Sequence, residues 1–295
     1  MKLSHFLAVV LLLFLAACGG NGSGESTQTQ PAVSIENKGS DTIVNLALAW
    51  AEAYQGLHQE VNISVTGGGS GTGLAALING TVDLANASRR IKEEEMQQAQ
   101  SNGIDPVEFI IARDAIAVVV HPENPVSKLT LQQISDIYSG KISNWLELGG
   151  EDRPIVRLSR ETNSGTHVYF LETVLRLGDK NNPTLFSMDT LLLPSSEGII
   201  NEVRQNPNAI GYDGLGYVPD DLKILSVARE EGGPYLLPSI STVNDKSYPI
   251  ARDLYMYTAG KPTGPVKDYL DWILSKEAQV IVAELGFVPI LVENP

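Results

Sequence analysis

The residue pattern predicts an α/β architecture in two hinged lobes, on three grounds. Residues 33–85 alternate short apolar runs with amphipathic ones in a strand-helix-strand-helix-strand order, as in a parallel sheet with crossover helices. The same plan returns between 155 and 177, where an apolar run is followed by a polar turn and an amphipathic run. One apolar stretch near 107–120 leads out of the first block and another at 254–258 leads back, so the chain crosses once in each direction.

Each element follows from its own residues. Met1-Lys2 and an unbroken apolar run over 6–15 precede Ala16-Ala17-Cys18. That run is about half of the roughly 20 residues needed to span a bilayer, so 1–17 reads as a secretory signal. Leu15-Ala16-Ala17-Cys18 resembles a bacterial lipobox, which implies cleavage before Cys18 and a lipid on its thiol. An ordinary signal with a coincidental cysteine is the alternative. Residues 18–31, rich in Gly, Ser, Asn, Gln and Thr, cannot bury a core and make a flexible tether. Folded patterning begins with a strand at 33–35, followed by Asn37-Lys38-Gly39-Ser40-Asp41-Thr42, a loop rich in helix N-cap residues. Leu46, Ala49, Trp50, Ala53 and Leu57 recur at spacings of three and four, which predicts one face of a helix over 42–55. A strand at 61–66, a glycine-rich turn at 67–73, a helix marked by Leu74, Leu77 and Ile78, and a strand at 82–85 complete the first block.

A charged helix at 92–101 leads to two apolar runs, 107–111 and 115–120, parted by Arg113-Asp114, where the chain crosses to the second lobe. There the pattern gives a helix at 129–138, a strand at 155–159, a polar turn at 160–166 opening a helix to 177, a helix at 195–205 and a strand at 209–212. Residues 229–250 are rich in Gly, Pro and Ser. A return strand at 254–258 and helices at 265–274 and 276–285 close the chain. The expected division is 32–113 with 248–295 in lobe I and 114–247 in lobe II.

Composition narrows the function. The 295 residues are 43% hydrophobic and 19% charged, enough apolar material for one large core or two smaller ones. With 35 acids against 21 bases the formal charge is −14, which argues against nucleic acid, whose phosphates want a clustered basic surface. A single cysteine excludes an internal disulfide and a cysteine metal cluster, and the histidines lack metal-ligand spacing, so neither a metal nor another cofactor is expected.

The strongest local signal is Gly67-Gly68-Gly69-Ser70-Gly71-Thr72-Gly73 between a strand and a helix, where backbone N–H groups and the helix dipole together favour an anion. A P-loop is excluded because no lysine follows the glycines. Gly71-x-Gly73-x-x-Ala76 matches a degenerate dinucleotide fingerprint, but no acid stands about 20 residues on at the end of the next strand, because Asp83 comes too early. A serine-hydrolase elbow fails because Thr72 stands two residues after Ser70 where Gly is required. His167 follows Ser164-Gly165-Thr166 without an evident acid to orient it. The turn Arg160-Glu161-Thr162-Asn163-Ser164-Gly165-Thr166 adds a bidentate guanidinium and hydroxyls at a helix start. With Ser40-Asp41-Thr42, Gly69-Ser70-Gly71 and Asn86-Ala87-Ser88-Arg89 it makes four donor-rich turns, three in one lobe and one in the other, suited to burying a small oxyanion. A plain helix cap with an exposed Arg is the bland alternative for any one of them.

Taken in chain order, these segments resemble the periplasmic phosphate-binding proteins of ABC importers. The resemblance rests on Gly39-Ser40-Asp41-Thr42 with Trp50-Ala51-Glu52, on Gly68 to Gly73, and on Thr81-Val82-Asp83-Leu84-Ala85-Asn86-Ala87-Ser88-Arg89. Leu129-Thr130 through Ile137-Tyr138-Ser139-Gly140-Lys141-Ile142-Ser143-Asn144-Trp145 and Ile210-Gly211-Tyr212-Asp213-Gly214-Leu215-Gly216-Tyr217 complete it. It implies a type II periplasmic-binding fold, no catalysis, and a cleft that closes on one inorganic phosphate and hands it to an ABC permease. It also implies an extracytoplasmic, lipid-anchored monomer. Carried over by position, Ser40, Asp41, Thr42, Ser70 and Ser88 in one lobe and Arg160, Ser164, Gly165 and Thr166 in the other would bind the phosphate. One branch of the family has an Asp where this chain has Ser88, to accept the proton of hydrogen phosphate; Asp41 is the candidate substitute, with a simple helix-capping role as its alternative. Another tetrahedral oxyanion, such as sulfate or molybdate, or a surface signalling or adhesion role on the same scaffold, are the alternative functions.

Overall fold

The computed structural model describes residues 33–290. The expected signal, Cys18 and the expected tether lie outside the described residues. The elements run β1 (Val33–Gly39), α1 (Asp41–Leu57), β2 (Val61–Thr66), α2 (Ser70–Ile78), β3 (Leu84–Ala87), α3 (Glu93–Ser101), β4 (Val107–Val120), β5 (Lys128–Thr130), α4 (Leu131–Tyr138) and β6 (Val156–Arg160). After them come α5 (Gly165–Phe170), β7 (Leu191–Leu193), α6 (Ser196–Gln205), β8 (Ala209–Gly214), β9 (Lys223–Ile224), β10 (Ser226–Ala228), α7 (Ile240–Asn244), β11 (Ala251–Thr258), α8 (Gly264–Ile273) and α9 (Lys276–Glu284).

Nine of these strands join in the order β2-β1-β3-β11-β4-β8-β6-β7, with β9 also on β4, and β5 pairs with β10 in a separate two-stranded sheet. In the first lobe β1 pairs in parallel with β2 and β3, as βαβ crossovers require, while β11 returns antiparallel between β3 and β4. In the second, β6 pairs in parallel with β7 and β8. The two apolar runs expected near 107–111 and 115–120 are one unbroken strand. Arg113 and Asp114 do not interrupt β4, because both find charged partners across the ladder in β11. Residues 107–115 of β4 lie against β11 and 116–120 against β8, so this strand carries the chain from one lobe to the other.

Each lobe has its own core. In the first, Ile43, Leu46, Ala47, Trp50, Ala51 and Tyr54 of α1 pack with Ile35, Ile63, Leu254, Tyr269 and Val282. The buried stripe of α1 is therefore turned from the expected one: Ala49 and Ala53 sit at its edge and Leu57 is exposed. Trp50 anchors it, donating Nε1–H to the Ala278 carbonyl at 2.9 Å. The second core joins β4, β8, α4 and the helical turn after α5 through Ile134, Tyr138, Phe170, Val174 and Tyr212, where Phe170 stacks on Tyr212 with 3.5 Å between ring centroids.

Most boundaries fall within two residues of the pattern. β1 extends to Gly39 and β11 begins at Ala251, because each is completed by ladder pairing rather than by its own apolar run. The helix expected to reach 177 is α5 followed by a π-helical turn, Leu171–Leu175. β5, β7, β9, β10 and α7 carry too few residues to show a period.

Candidate functional site

The first lobe presents three turns, each at the end of a strand. Gly39 closes β1 with φ +148°, and a Cβ there would overlap the carbonyl oxygen of Asn86 in β3. That close approach places Ser40 beside the end of β3, and its N–H donates to Asn86 O at 2.9 Å. Ser40 stands at the N-cap of α1, yet its side chain makes no capping bond. Gly68 and Gly69 take positive φ to reverse the chain before α2, and Gly69 N–H donates to Gly39 O at 2.9 Å, locking the second turn onto the first. Gly73 serves packing: a side chain there would overlap the Lys38 carbonyl, so the glycine lets α2 lie on β1. Ser70 opens α2 and accepts the Ser88 N–H at 3.0 Å, with the two hydroxyl oxygens 3.3 Å apart.

The second lobe supplies one turn. β6 ends at Arg160, and Ser164 caps α5 by accepting the N–H groups of Thr166 and His167. Backbone bonds tie this turn to the glycine turn of the first lobe, Gly71 N–H to Asn163 O at 3.0 Å and Asn163 Nδ2 to Gly68 O at 3.0 Å. Side chains do the same. Thr42 and Thr166 hold their hydroxyl oxygens 2.8 Å apart, and Arg160 Nη2 donates to Asp41 Oδ2 at 2.6 Å. Gly165 approaches so closely that a Cβ would overlap the hydroxyls of both Ser70 and Ser88. The nine residues singled out from the sequence thus gather where the two lobes meet. All are buried except Asp41, which is partly so. Asp41 does not cap its own helix: its Oδ1 accepts the Gly68 N–H at 2.9 Å.

Four further residues complete the site and were not foreseen. Arg160, 1% exposed, is aimed by Ser196 Oγ (2.9 Å) and the Pro194 carbonyl (2.8 Å). The Ser196 hydroxyl in turn donates a hydrogen bond to Asp213 Oδ1 at 3.0 Å, and Asp213 Oδ2 stands 3.8 Å from Arg160 Nη1. Burial pushes the Asp213 carboxyl up, against the pull of Arg160. Arg160 Nε and Asp213 Oδ2 are buried without a hydrogen-bond partner among the described residues. From the crossing strands, Arg252 pairs with Asp114 at 2.9 Å and also reaches Thr42, Thr166 and the Ser88 carbonyl. Burial raises Asp114 to about 6, and neighbouring Asp213 adds to the rise. A charged dipeptide in the middle of an apolar run, at 113–114, was the available sign of this pair; it was read only as the place of crossing.

His167 is held in the packing beside the turn: its Nδ1 lies 3.0 Å from Ser159 Oγ, its ring stacks on Phe186, and burial pulls its pKa down. Chemically the site offers hydroxyls, backbone N–H groups and guanidinium groups from both lobes, with carboxylates behind them. Such a set accepts a small anion and excludes water around it.

Two α/β lobes on shared crossing strands, with facing polar turns between them, define a type II periplasmic-binding protein, and a family model described as a PBP superfamily domain matches residues 25–277. The phosphate-binding protein PstS of Pseudomonas aeruginosa PAO1 is 33% identical, over 98% of this chain and 96% of its own. A solved structure described as a phosphate ABC transporter substrate-binding protein with bound phosphate, from Clostridium perfringens, superposes with a TM-score of 0.78 at 35% identity, covering 87% of this chain and 99% of that one. An ABC-type phosphate transport receptor from Vibrio cholerae gives a TM-score of 0.70 at 26% identity, covering 87% of this chain and 100% of that one. The chain belongs to the PstS family of phosphate-binding proteins.

Proposed function

We propose that this protein captures inorganic phosphate between its lobes and delivers it to the permease of an ABC importer. The single observation that carries the reading is the Asp41–Arg160 contact across the lobes, set among the hydroxyls of Thr42, Ser70, Ser88 and Thr166. Ser40, Asp41, Thr42, Ser70, Ser88, Arg160, Ser164, Gly165 and Thr166 hold the anion, with Arg160 as its principal cation. Asp41, an acceptor when ionised, favours a protonated oxyanion and repels sulfate, which has no proton to give. The net charge of −14 is no obstacle, because binding depends on oriented donors in a closed site of low dielectric constant. Relatives are named for phosphate binding and phosphate transport, which supports binding rather than catalysis.

In this reading lobe I is 32–113 with 248–295 and lobe II is 114–247, with Tyr248 and Ile250 packed against the second core at the crossing itself. The liganded, closed shape presents both lobes to the permease in one orientation. Residues 1–17 direct export, Cys18 carries a lipid, and 18–31 tether an extracytoplasmic monomer to the membrane. No helix among the described residues is long and apolar enough to cross one.

Titration calorimetry of the mature chain, stripped of bound anion, against phosphate, sulfate, arsenate and molybdate tests the reading. Tight one-to-one phosphate binding with sulfate silent supports it. Binding of sulfate or molybdate alone would make the protein a receptor for another oxyanion, and silence towards all four from a folded chain would favour signalling or adhesion.

A further inference from the structure

β4 and β11 each contain an Arg-Asp dipeptide, and the antiparallel register sets Arg252 opposite Asp114 and Asp253 opposite Arg113. Because side chains alternate across a strand, the two ion pairs fall on opposite faces. Arg113 and Asp253 are about a third exposed and 3.3 Å apart. Arg252 and Asp114 face inward and are almost wholly buried, with Nη2 2.9 Å from Oδ2. A fully buried ion pair on crossing strands is a costly arrangement, and its stability alone is a weak reason for it.

The other bonds of Arg252 supply a better one. Its Nη2 donates to Thr166 Oγ1 at 2.9 Å and to Thr42 Oγ1 at 3.3 Å, and its Nη1 donates to the Ser88 carbonyl at 3.0 Å. Three residues of the anion site, drawn from both lobes, therefore meet one guanidinium that stands outside the nine. The two threonine oxygens are 2.8 Å apart and both accept from Arg252. A hydroxyl has one proton. One threonine spends its proton on the other, and the proton left over has to point away from Arg252, available to an acceptor held between the lobes.

We propose that Arg252 is a positioning residue of the anion site, which aims the Thr42–Thr166 hydroxyl pair at the captured anion, and that Asp114 is the counter-ion that sets how much of its positive field the anion feels. The assignment rests on the phosphate reading above. Asp114 is faced by Arg252 from β11, Asp213 from β8, Tyr169 from α5 and Tyr248 from the segment before β11, and its Oδ1 has no hydrogen-bond partner among the described residues. Burial and Asp213 bring it to about 6. An anion arriving beside Arg252 adds a negative charge, which favours protonation of Asp114 and release of Arg252 from its partner. Anion binding and proton binding therefore help each other, and reciprocally so.

The test is calorimetry with inorganic phosphate on the mature wild-type chain, Arg252→Gln, Arg252→Lys and Asp114→Asn, each at pH 6 and pH 8 in buffers of different ionisation heat. Arg252→Gln is expected to weaken binding by at least about 30-fold, with Arg252→Lys recovering part of that loss by restoring charge without the fork. At pH 6 the wild type takes up more protons on binding than Asp114→Asn, and at pH 8 the two match; protons taken up by phosphate itself are common to both and cancel. An Arg252→Gln affinity within about threefold of wild type, or equal proton counts at pH 6, would overturn the assignment. If Arg252→Gln fails to melt cooperatively, Arg252→Lys and the proton count decide. Wild type that binds no phosphate overturns the phosphate reading itself and the assignment with it, a result distinct from a variant that binds as wild type does.

Discussion

Gly165 of the second lobe presses its α-carbon so near Ser88 of the first that an added methyl would lie 2.5 Å from the serine oxygen. Nothing larger than hydrogen fits between the lobes at that point when they are closed. Separated lobes impose no such limit. Gly165→Ala is therefore expected to leave unfolding of the phosphate-free protein near wild type while weakening phosphate binding by roughly 5- to 150-fold, the range that overpacking by one methyl gives. Calorimetry paired with a thermal melt checks it, and unchanged affinity would mean that capture does not require this closure.

Arg160 makes bonds in three directions at once, to Asp41, Ser196 and the Pro194 carbonyl. An ammonium on a flexible stem cannot reproduce that fork. Arg160→Ala should cost on the order of 2–5 kcal/mol of binding, much of it the penalty of leaving carboxylates unpaired, and Arg160→Lys should recover less than half of it. An Arg160→Ala affinity within about threefold of wild type would remove this residue from the site.

Asp41 accepts from Gly68 N–H with one oxygen and from Arg160 with the other. Asparagine has a single acceptor oxygen, so Asp41→Asn turns an amide donor towards one of these donors. The expected outcome is weaker phosphate binding together with a smaller preference for phosphate over sulfate. Competition titration of the variant with both anions measures the ratio; an unaltered preference would assign discrimination to another group.

Asp114 links the site to pH through stability as well. Its carboxyl titrates near 6 in the folded chain, above the ordinary 3.8, so the native state holds the proton more tightly than the unfolded one does. Its contribution to stability is complete below about pH 4 and is lost as pH rises through 6. The change is on the order of 3 kcal/mol. Denaturant unfolding of wild type and Asp114→Asn from pH 4 to 7 should show wild type losing stability relative to the variant by about that amount. A pH-independent difference between them would contradict the assignment.

What could be read from the sequence follows the range of each signal. Strand-helix alternation and the donor-rich turns at Ser40-Asp41-Thr42, Gly67–Gly73 and Arg160–Thr166 are local, carried by residues within a turn of one another. Their meeting needed the fold. The orientation of α1 was misjudged because alanines line both sides of its buried stripe, so Ala47 and Ala51 are inside where Ala49 and Ala53 were expected. Arg252 and Asp114 are 138 residues apart, and only the register of β11 on β4 makes them neighbours. Two Arg-Asp dipeptides in otherwise apolar segments were visible all along, but no rule of spacing connects them. The roles of Ser196 and Asp213 at the site were hidden for the same reason, since their importance lies in aiming Arg160 from another element.

The sheet that starts at Val33 is completed by a strand from near the other end of the chain, where Tyr255 is paired with Ala87. Until that strand has been synthesised, the first lobe has an open sheet edge and a core lacking Leu254, Met256, Tyr269 and Val282. Its native state is built from contacts between distant parts of the sequence, which makes folding slow and defers it until nearly the whole chain is available. In the reading proposed above, in which residues 1–17 direct export, that delay is an advantage: the chain stays threadable for as long as it has a membrane to pass.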